Sequence, residues 1–191
     1  MKSFMKSKFG GKGDRQELVG IISGLKGSGR KSVENWLTSS KVLTKVKPPV
    51  TFEVVPCTNS DEELEAIEFN KYSLIIFVVD LEKPENNILC NQWYHKIRAK
   101  MHHDNPCLIL PNKKDTLPAN TSDSDVIDDV KGWLNIQAES SPKATVVIKP
   151  ISAKRLLENV RFKEGDYNEV FDFIKECLKA HSDVAHSLKS K

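Results

Sequence analysis

A glycine-rich segment near the start of the chain has the residue types of a phosphate-binding loop. Residues 24–32 read GLKGSGRKS and follow a short apolar run. Glycines at such a turn let backbone N–H groups surround a phosphate, and the lysine and hydroxyl residue that follow serve the terminal phosphates and a magnesium ion. The segment therefore predicts a phosphate cradle at the start of a helix.

The spacing of this loop departs from the working pattern, and two alignments stay open. If Gly24 and Gly29 are the fixed glycines, Arg30 stands at the lysine position and Lys31 at the hydroxyl position. If Lys31 and Ser32 are the functional pair, the loop is one residue too long and Arg30 replaces the second glycine. The candidate phosphate-binding residues are Gly24, Gly27, Gly29, Arg30, Lys31 and Ser32.

Alternating strands and helices are predicted to position this loop. Apolar runs predict strands at residues 18–23, 50–55, 74–79, 107–110 and 144–148. Helical patterns follow the glycine-rich turn and recur at residues 89–101, 124–136 and in the last part of the chain. This order predicts an α/β domain with a mainly parallel sheet in three layers, which binds ligands at the carboxyl ends of its strands.

Apolar spacing also predicts which helix faces lie against the sheet. In the helix predicted at residues 89–101, the inward positions repeat every four residues: Leu89, Trp93, Ile97 and Met101. Trp93 and Tyr94 are interpreted as the core and rim of that helix. The last helix is predicted to begin near an Asp166 cap and to bury Val170, Phe171, Phe173, Ile174, Cys177 and Leu178.

Four segments, in order, resemble motifs of small GTPases of the Ras and Arf superfamily. GLKGSGRKS resembles the Arf-type phosphate loop, and LIIFVVDLEKPEN at residues 74–86 resembles the central strand and its turn. Asn112-Lys113-Lys114-Asp115 matches the NKxD guanine motif, and Ser152-Ala153-Lys154 matches the SAK motif. The resemblance covers about residues 18–180 and implies a reduced P-loop G-domain fold.

This resemblance implies a guanine site. Asp115 would accept two hydrogen bonds from the guanine edge, Lys113 would pack on the ring and Asn112 would brace the loop, while the backbone N–H of Ala153 would meet the guanine carbonyl. The implied base-binding residues are Asn112, Lys113, Asp115, Ser152, Ala153 and Lys154, with GTP or GDP as the cofactor. The alternative is that NKKD is a polar turn and SAK a helix start.

Two departures from the family bear on catalysis. No glycine lies between Gly29 and Gly132 and no glutamine between Gln16 and Gln92, so the D-x-x-G motif and its water-orienting glutamine are absent from the sequence. Only 39 residues separate Ser32 from Tyr72, and they hold one predicted strand where the family has two with both switches. We therefore expect a pseudo-GTPase without catalytic residues or a resident metal.

Composition restricts the class of protein further. The chain has 191 residues with 29 basic and 26 acidic side chains, and its four cysteines lack zinc or disulfide spacing. Its longest apolar run has six residues, so we expect no membrane span and no secretion signal. The predicted organisation is a basic flexible leader at 1–15, one domain at 16–182 and a flexible tail at 183–191, in the cytoplasm or nucleus.

Other chemistry-bearing residues have simpler interpretations. Thr51 could be a switch threonine but fits an ordinary strand position better. His95, His102 and His103 lack other ligands at metal spacing, and the acidic stretch 61–68 is interpreted as a solvated surface, with partner recognition as the alternative.

The expected function is that of an interaction or scaffold subunit in a multiprotein complex. The resemblance extends to G-domain relics that include inner-kinetochore subunits. We expect no direct contact with nucleic acid and no membrane anchor. The alternative is a guanine-nucleotide-binding small GTPase with weak or no hydrolysis.

Overall fold

A computed structural model describes residues 18–46, 49–58, 60–102, 104–136, 145–158 and 167–189. The predicted leader at 1–15 and the Asp166 cap lie outside these residues, as does the side chain of Leu178. The last helix extends to Lys189, into the segment predicted as a tail.

Within the described residues, five parallel strands form the sheet in the order β2-β1-β3-β4-β5. The strands are β1 Leu18–Gly24, β2 Val50–Val54, β3 Leu74–Asp80, β4 Cys107–Asn112 and β5 Val146–Ile148. The three central strands are rich in Ile, Leu and Val because both faces of a parallel sheet are covered. β3 pairs with β1 from Gly20–Leu74 to Gly24–Val78 and with β4 from Ile75–Cys107 to Asp80–Asn112.

Helices connect the strands and cover both faces of the sheet. They are α1 Arg30–Ser39, α2 Asp61–Glu65, α3 Asn87–Lys100, α4 Asp123–Trp133, α5 Ala153–Glu158 and α6 Asn168–Lys189. One apolar cluster joins the sheet to α1, α5 and α6, and a second joins it to α2, α3 and α4. The predicted three-layer parallel α/β domain is confirmed, and the described part of residues 33–71 contains one strand.

The buried face of α3 differs from the predicted one at Leu89 and Tyr94. Leu89 is 56% exposed, and the inward residues are Cys90, Trp93, Tyr94 and Ile97. These positions follow the three- and four-residue spacing of one helix face, whereas a strict four-residue repeat drifts around the helix. Tyr94 is therefore core and not rim, while Trp93, Ile97 and Met101 are buried as predicted.

The acidic stretch forms α2 and pairs with α3. Ser60 caps the helix by accepting a hydrogen bond from the Glu63 N–H, and Leu64 is buried. Lys96 lies 3.1 Å from Asp61, and Lys100 pairs with Glu65. Because two of its carboxylates have partners on α3, α2 is a docked part of the fold in addition to being a solvated surface.

Candidate functional site

Three glycines shape the loop that joins β1 to α1. Gly24, Gly27 and Gly29 have φ values of 146°, 90° and 90°, a region that side chains rarely adopt. No side chain caps the helix that begins at Arg30. The first N–H groups of α1 are thus available to an anion beside a glycine turn, which is the arrangement of a phosphate cradle.

Asn112 holds this loop against the guanine-motif segments. Its side-chain amide donates to the Ser28 carbonyl at 2.9 Å, and its Oδ1 accepts from the Ala153 N–H at 2.9 Å. A Cβ at Gly29 would lie 2.3 Å from the Asn112 amide nitrogen, so this contact requires glycine there. The structure therefore brings together three motifs that the sequence holds apart, and Asn112 is the side chain that joins the phosphate loop to the SAK segment.

The two cations at the end of the glycine-rich segment, Arg30 and Lys31, contact groups outside that segment. Arg30 donates from its guanidinium to the Val55 carbonyl at 2.9 Å, and its burial lowers the pKa of the guanidinium. Lys31 forms an exposed ion pair with Glu34 at 2.9 Å on the same helix. Ser32 is half-buried in the first turn of α1. In this structure both cations that the two alignments offer for the phosphates are therefore paired with other groups.

A buried chain of hydrogen bonds at the carboxyl end of β1 was not predicted. The Trp93 indole N–H donates to the Ser23 hydroxyl at 2.9 Å, and that hydroxyl donates to the Val55 carbonyl at 3.4 Å. Arg30 donates to the same carbonyl. The partners are far apart in sequence, and the only local signal is a serine at the end of an apolar strand. Together they fix the segment that follows β2.

Lys113 in the guanine-motif loop pairs with two carboxylates. Lys113 has a φ of 69° and donates to Asp80 at 2.8 Å and to Glu82 at 2.9 Å. Burial alone would lower the pKa of Lys113, but its hydrogen bonds to these two carboxylates raise it above its usual value. Lys113 is thus held against the turn after β3.

Asp115 and the SAK segment lie together. The Ser152 hydroxyl donates to one Asp115 oxygen, and the Arg155 Nε lies 4.0 Å from the other. The Ala153 N–H, which the resemblance assigns to a guanine carbonyl, donates here to Asn112. Lys154 is exposed on α5. Asp115 and Ser152 thus lie in mutual contact, and the Ala153 N–H is occupied by Asn112.

The threonine and histidine candidates occupy ordinary positions in the fold. Thr51 is a residue of the edge strand, paired with Val19. His95 contacts the Leu134 carbonyl at 3.0 Å, and His103 lies outside the described residues. Among the residues that the structure describes, no group of three metal-ligating side chains comes together and no helix is long and apolar enough to cross a bilayer.

A solved structure has the same architecture. The crystal structure of an ADP-ribosylation-factor-like GTP-binding protein, the small COPII coat GTPase SAR1 from Encephalitozoon cuniculi in complex with GDP, matches over 91% of this chain and 83% of that chain, with a TM-score of 0.64. The fold is that of a small GTPase. Sequence identity is 15%, so the likeness concerns the fold. No family model and no curated protein matches the sequence.

Arg30 is expected to act as a stabilising contact of the small-GTPase-like fold. Arg30→Ala should lower the free energy of unfolding by about 1.5 to 3 kcal/mol, because a charged donor to a carbonyl is lost. Urea denaturation measures this change. Lys31→Ala is the matched control, since its ion pair is exposed, and it should leave the midpoint unchanged. Equal midpoints for the two variants would contradict the stabilising role.

Proposed function

We propose that this chain is a small-GTPase-like domain that does not hydrolyse GTP and serves, without a bound nucleotide, as a protein-interaction subunit of a larger complex. The observation that carries the proposal is the use of the two loop cations: Arg30 contacts the Val55 carbonyl and Lys31 contacts Glu34. The inner kinetochore is the setting that the sequence resemblance suggests. The partners we propose are proteins, with no membrane anchor and no direct nucleic-acid contact.

The sequence supports the loss of hydrolysis. Phosphoryl transfer to water relies on cations and backbone donors around the terminal phosphate and on a residue that orients the water. The region from 30 to 131 contains no glycine, and the region from 17 to 91 contains no glutamine, so the family's two switch residues have no counterpart. A sheet covered on both faces remains a stable platform for other proteins after such losses.

A second candidate, guanine-nucleotide binding without hydrolysis, is favoured by the base side of the site. Asn112 joins the phosphate loop to Ala153, and Asp115 lies against Ser152. These are the segments that would recognise guanine in the family. For nucleotide to bind, the Ala153 N–H would have to exchange Asn112 for the base.

Thermal unfolding with and without Mg·GTP separates the two candidates. A ligand present at about 1,000 times its Kd stabilises the folded state by about 4 kcal/mol, which raises Tm by several degrees. We expect no change in Tm with excess Mg·GTP and no nucleotide in the supernatant of denatured, freshly purified protein. Mg·ATP is the control for non-specific effects.

Guanine-nucleotide binding would give a different pattern of Tm changes. A rise in Tm with Mg·GTP but not with Mg·ATP, absent in Asp115→Ala, would overturn the first candidate and support the second. Asp115→Ala must be compared with itself, with and without nucleotide, because loss of the Ser152 contact also changes basal stability.

A further inference from the structure

One edge of the sheet has outward-facing backbone groups with no partner strand in the described part of the chain. β2 is the first strand of the sheet and pairs only with β1 among the described strands. The Val55 N–H donates to Ile22, and the Leu18 N–H donates to Pro49, so residues 49 and 55 face β1. Because successive residues of a strand alternate, the N–H and C=O groups of Val50, Phe52 and Val54 face outward.

A groove of about 600 Å³ lies beside this edge on the face that carries α2. Its lining includes Glu63, Ala66, Ile67, Glu68, Lys71 and Tyr72. The Tyr72 hydroxyl donates to Glu53 of β2 at 2.7 Å, which places the groove next to the strand. Burial, followed by the contact with Glu53, raises the pKa of Tyr72 to about 12, so this hydroxyl stays protonated at neutral pH.

The charge around the groove is negative. Two carboxylates in its lining, Glu63 and Glu68, are exposed and give the groove its net charge. Among the described residues of the lining the one cation is Lys71, which lies 2.8 Å from Glu53 at the border of the groove, so this pair adds no net charge. Between the carboxylates, Ala66 and Ile67 offer apolar surface. This combination suits a side chain with an apolar stem and a positive end.

We propose that β2 and this groove bind an extended segment of a partner protein, with alternating basic and apolar residues, as an additional strand of the sheet. The strand would bond to the outward backbone groups of Val50, Phe52 and Val54, and alternate side chains on the α2 face would enter the acidic groove. The inference rests on the proposed interaction function and names its surface and the chemistry of its partner.

Amide hydrogen exchange of the 191-residue chain by NMR tests the proposal. The probe is a peptide of about nine residues that alternates lysine and valine, long enough to cover the edge. We expect exchange at Val50, Phe52 and Val54 to be fast in the free chain and to slow by about ten-fold or more with saturating peptide. A peptide of the same length that alternates glutamate and valine should leave exchange unchanged.

A matched pair of variants tests the groove. Glu63→Lys should weaken binding of the lysine–valine peptide several-fold, whereas Glu62→Lys, the same change in the same helical turn but outside the groove lining, should not. Equal effects of the two variants, or equal protection by both peptides, would overturn the proposed recognition. Amides of Val50, Phe52 and Val54 that are already protected in the free chain would also overturn the docking proposal. Protection independent of protein concentration would assign the edge to another segment of the same chain. Protection that rises with concentration would assign it to a second copy.

Repeating the exchange and Tm measurements with Mg·GTP distinguishes failure of the docking proposal from failure of the proposed function. If the peptide protects the edge only when Mg·GTP is present, the docking surface stands and the nucleotide-independent function is wrong. If the peptide gives no protection and Mg·GTP leaves Tm unchanged, the docking proposal is wrong and the proposed function stands.

Discussion

Asn112→Ala is expected to lower the free energy of unfolding by about 2 to 4 kcal/mol. The Asn112 side chain is buried and joins the Ser28 carbonyl to the Ala153 N–H. Its truncation leaves both backbone groups without this partner and opens a cavity between two loops. Each unsatisfied buried polar group costs about 1 to 3 kcal/mol, so the sum is large for one side chain.

Urea denaturation measures this loss, and Asn120→Ala is the control. Asn120 is an exposed asparagine in the turn before α4, so its variant should change stability by no more than about 0.5 kcal/mol. A result for Asn112→Ala as small as that of Asn120→Ala would show that the bridge between the two loops contributes little to the fold.

Gly24→Ala is expected to destabilise the chain by about 3 kcal/mol or more, because two costs add. The residue has a φ of 146°, and a Cβ there would lie 2.2 Å from the Val78 carbonyl oxygen. That oxygen belongs to the backbone of central strand β3, which cannot move without disturbing its pairing with β1. We expect reduced yield and a lowered Tm.

Gly27→Ala separates the backbone cost from the steric cost. Gly27 also has a positive φ, 90°, but a Cβ there meets no atom within 4 Å. Only the conformational cost of about 1 to 2 kcal/mol remains. Comparing the two variants by thermal unfolding should show a clearly lower Tm for Gly24→Ala. Similar Tm values would contradict the close approach of the loop to β3.

The architecture was predictable from the sequence because its signals are local. Apolar runs such as LIIFVV mark central parallel strands, and the glycine-rich turn marks the junction of β1 and α1. The prediction that Leu89 faces the core is wrong because the inward face of α3 follows three- and four-residue steps. Leu89 lies only two residues after the start of this helix, where the predicted four-residue repeat has drifted off the buried face. A one-residue error in the phase of a helix moves a side chain by about 100°.

The contacts of the site were predictable only in part. The motifs placed Asn112, Asp115 and Ser152 near one another because strand ends of a parallel sheet meet at one edge. The partners of Arg30 and Trp93 could not be inferred, since the Val55 carbonyl and the Ser23 hydroxyl lie in other elements and form no motif. Contacts of this kind depend on the packed structure and leave no spacing signal in the sequence.

Single-turnover measurement of phosphate release from labelled Mg·GTP tests the central claim, the absence of hydrolysis, most directly. We predict release indistinguishable from that of Mg·GTP without protein, in the unmodified chain and in Lys31→Ala alike. Release at an intrinsic small-GTPase rate, on the order of 10⁻⁴ s⁻¹, that disappears in Asp115→Ala would contradict the account.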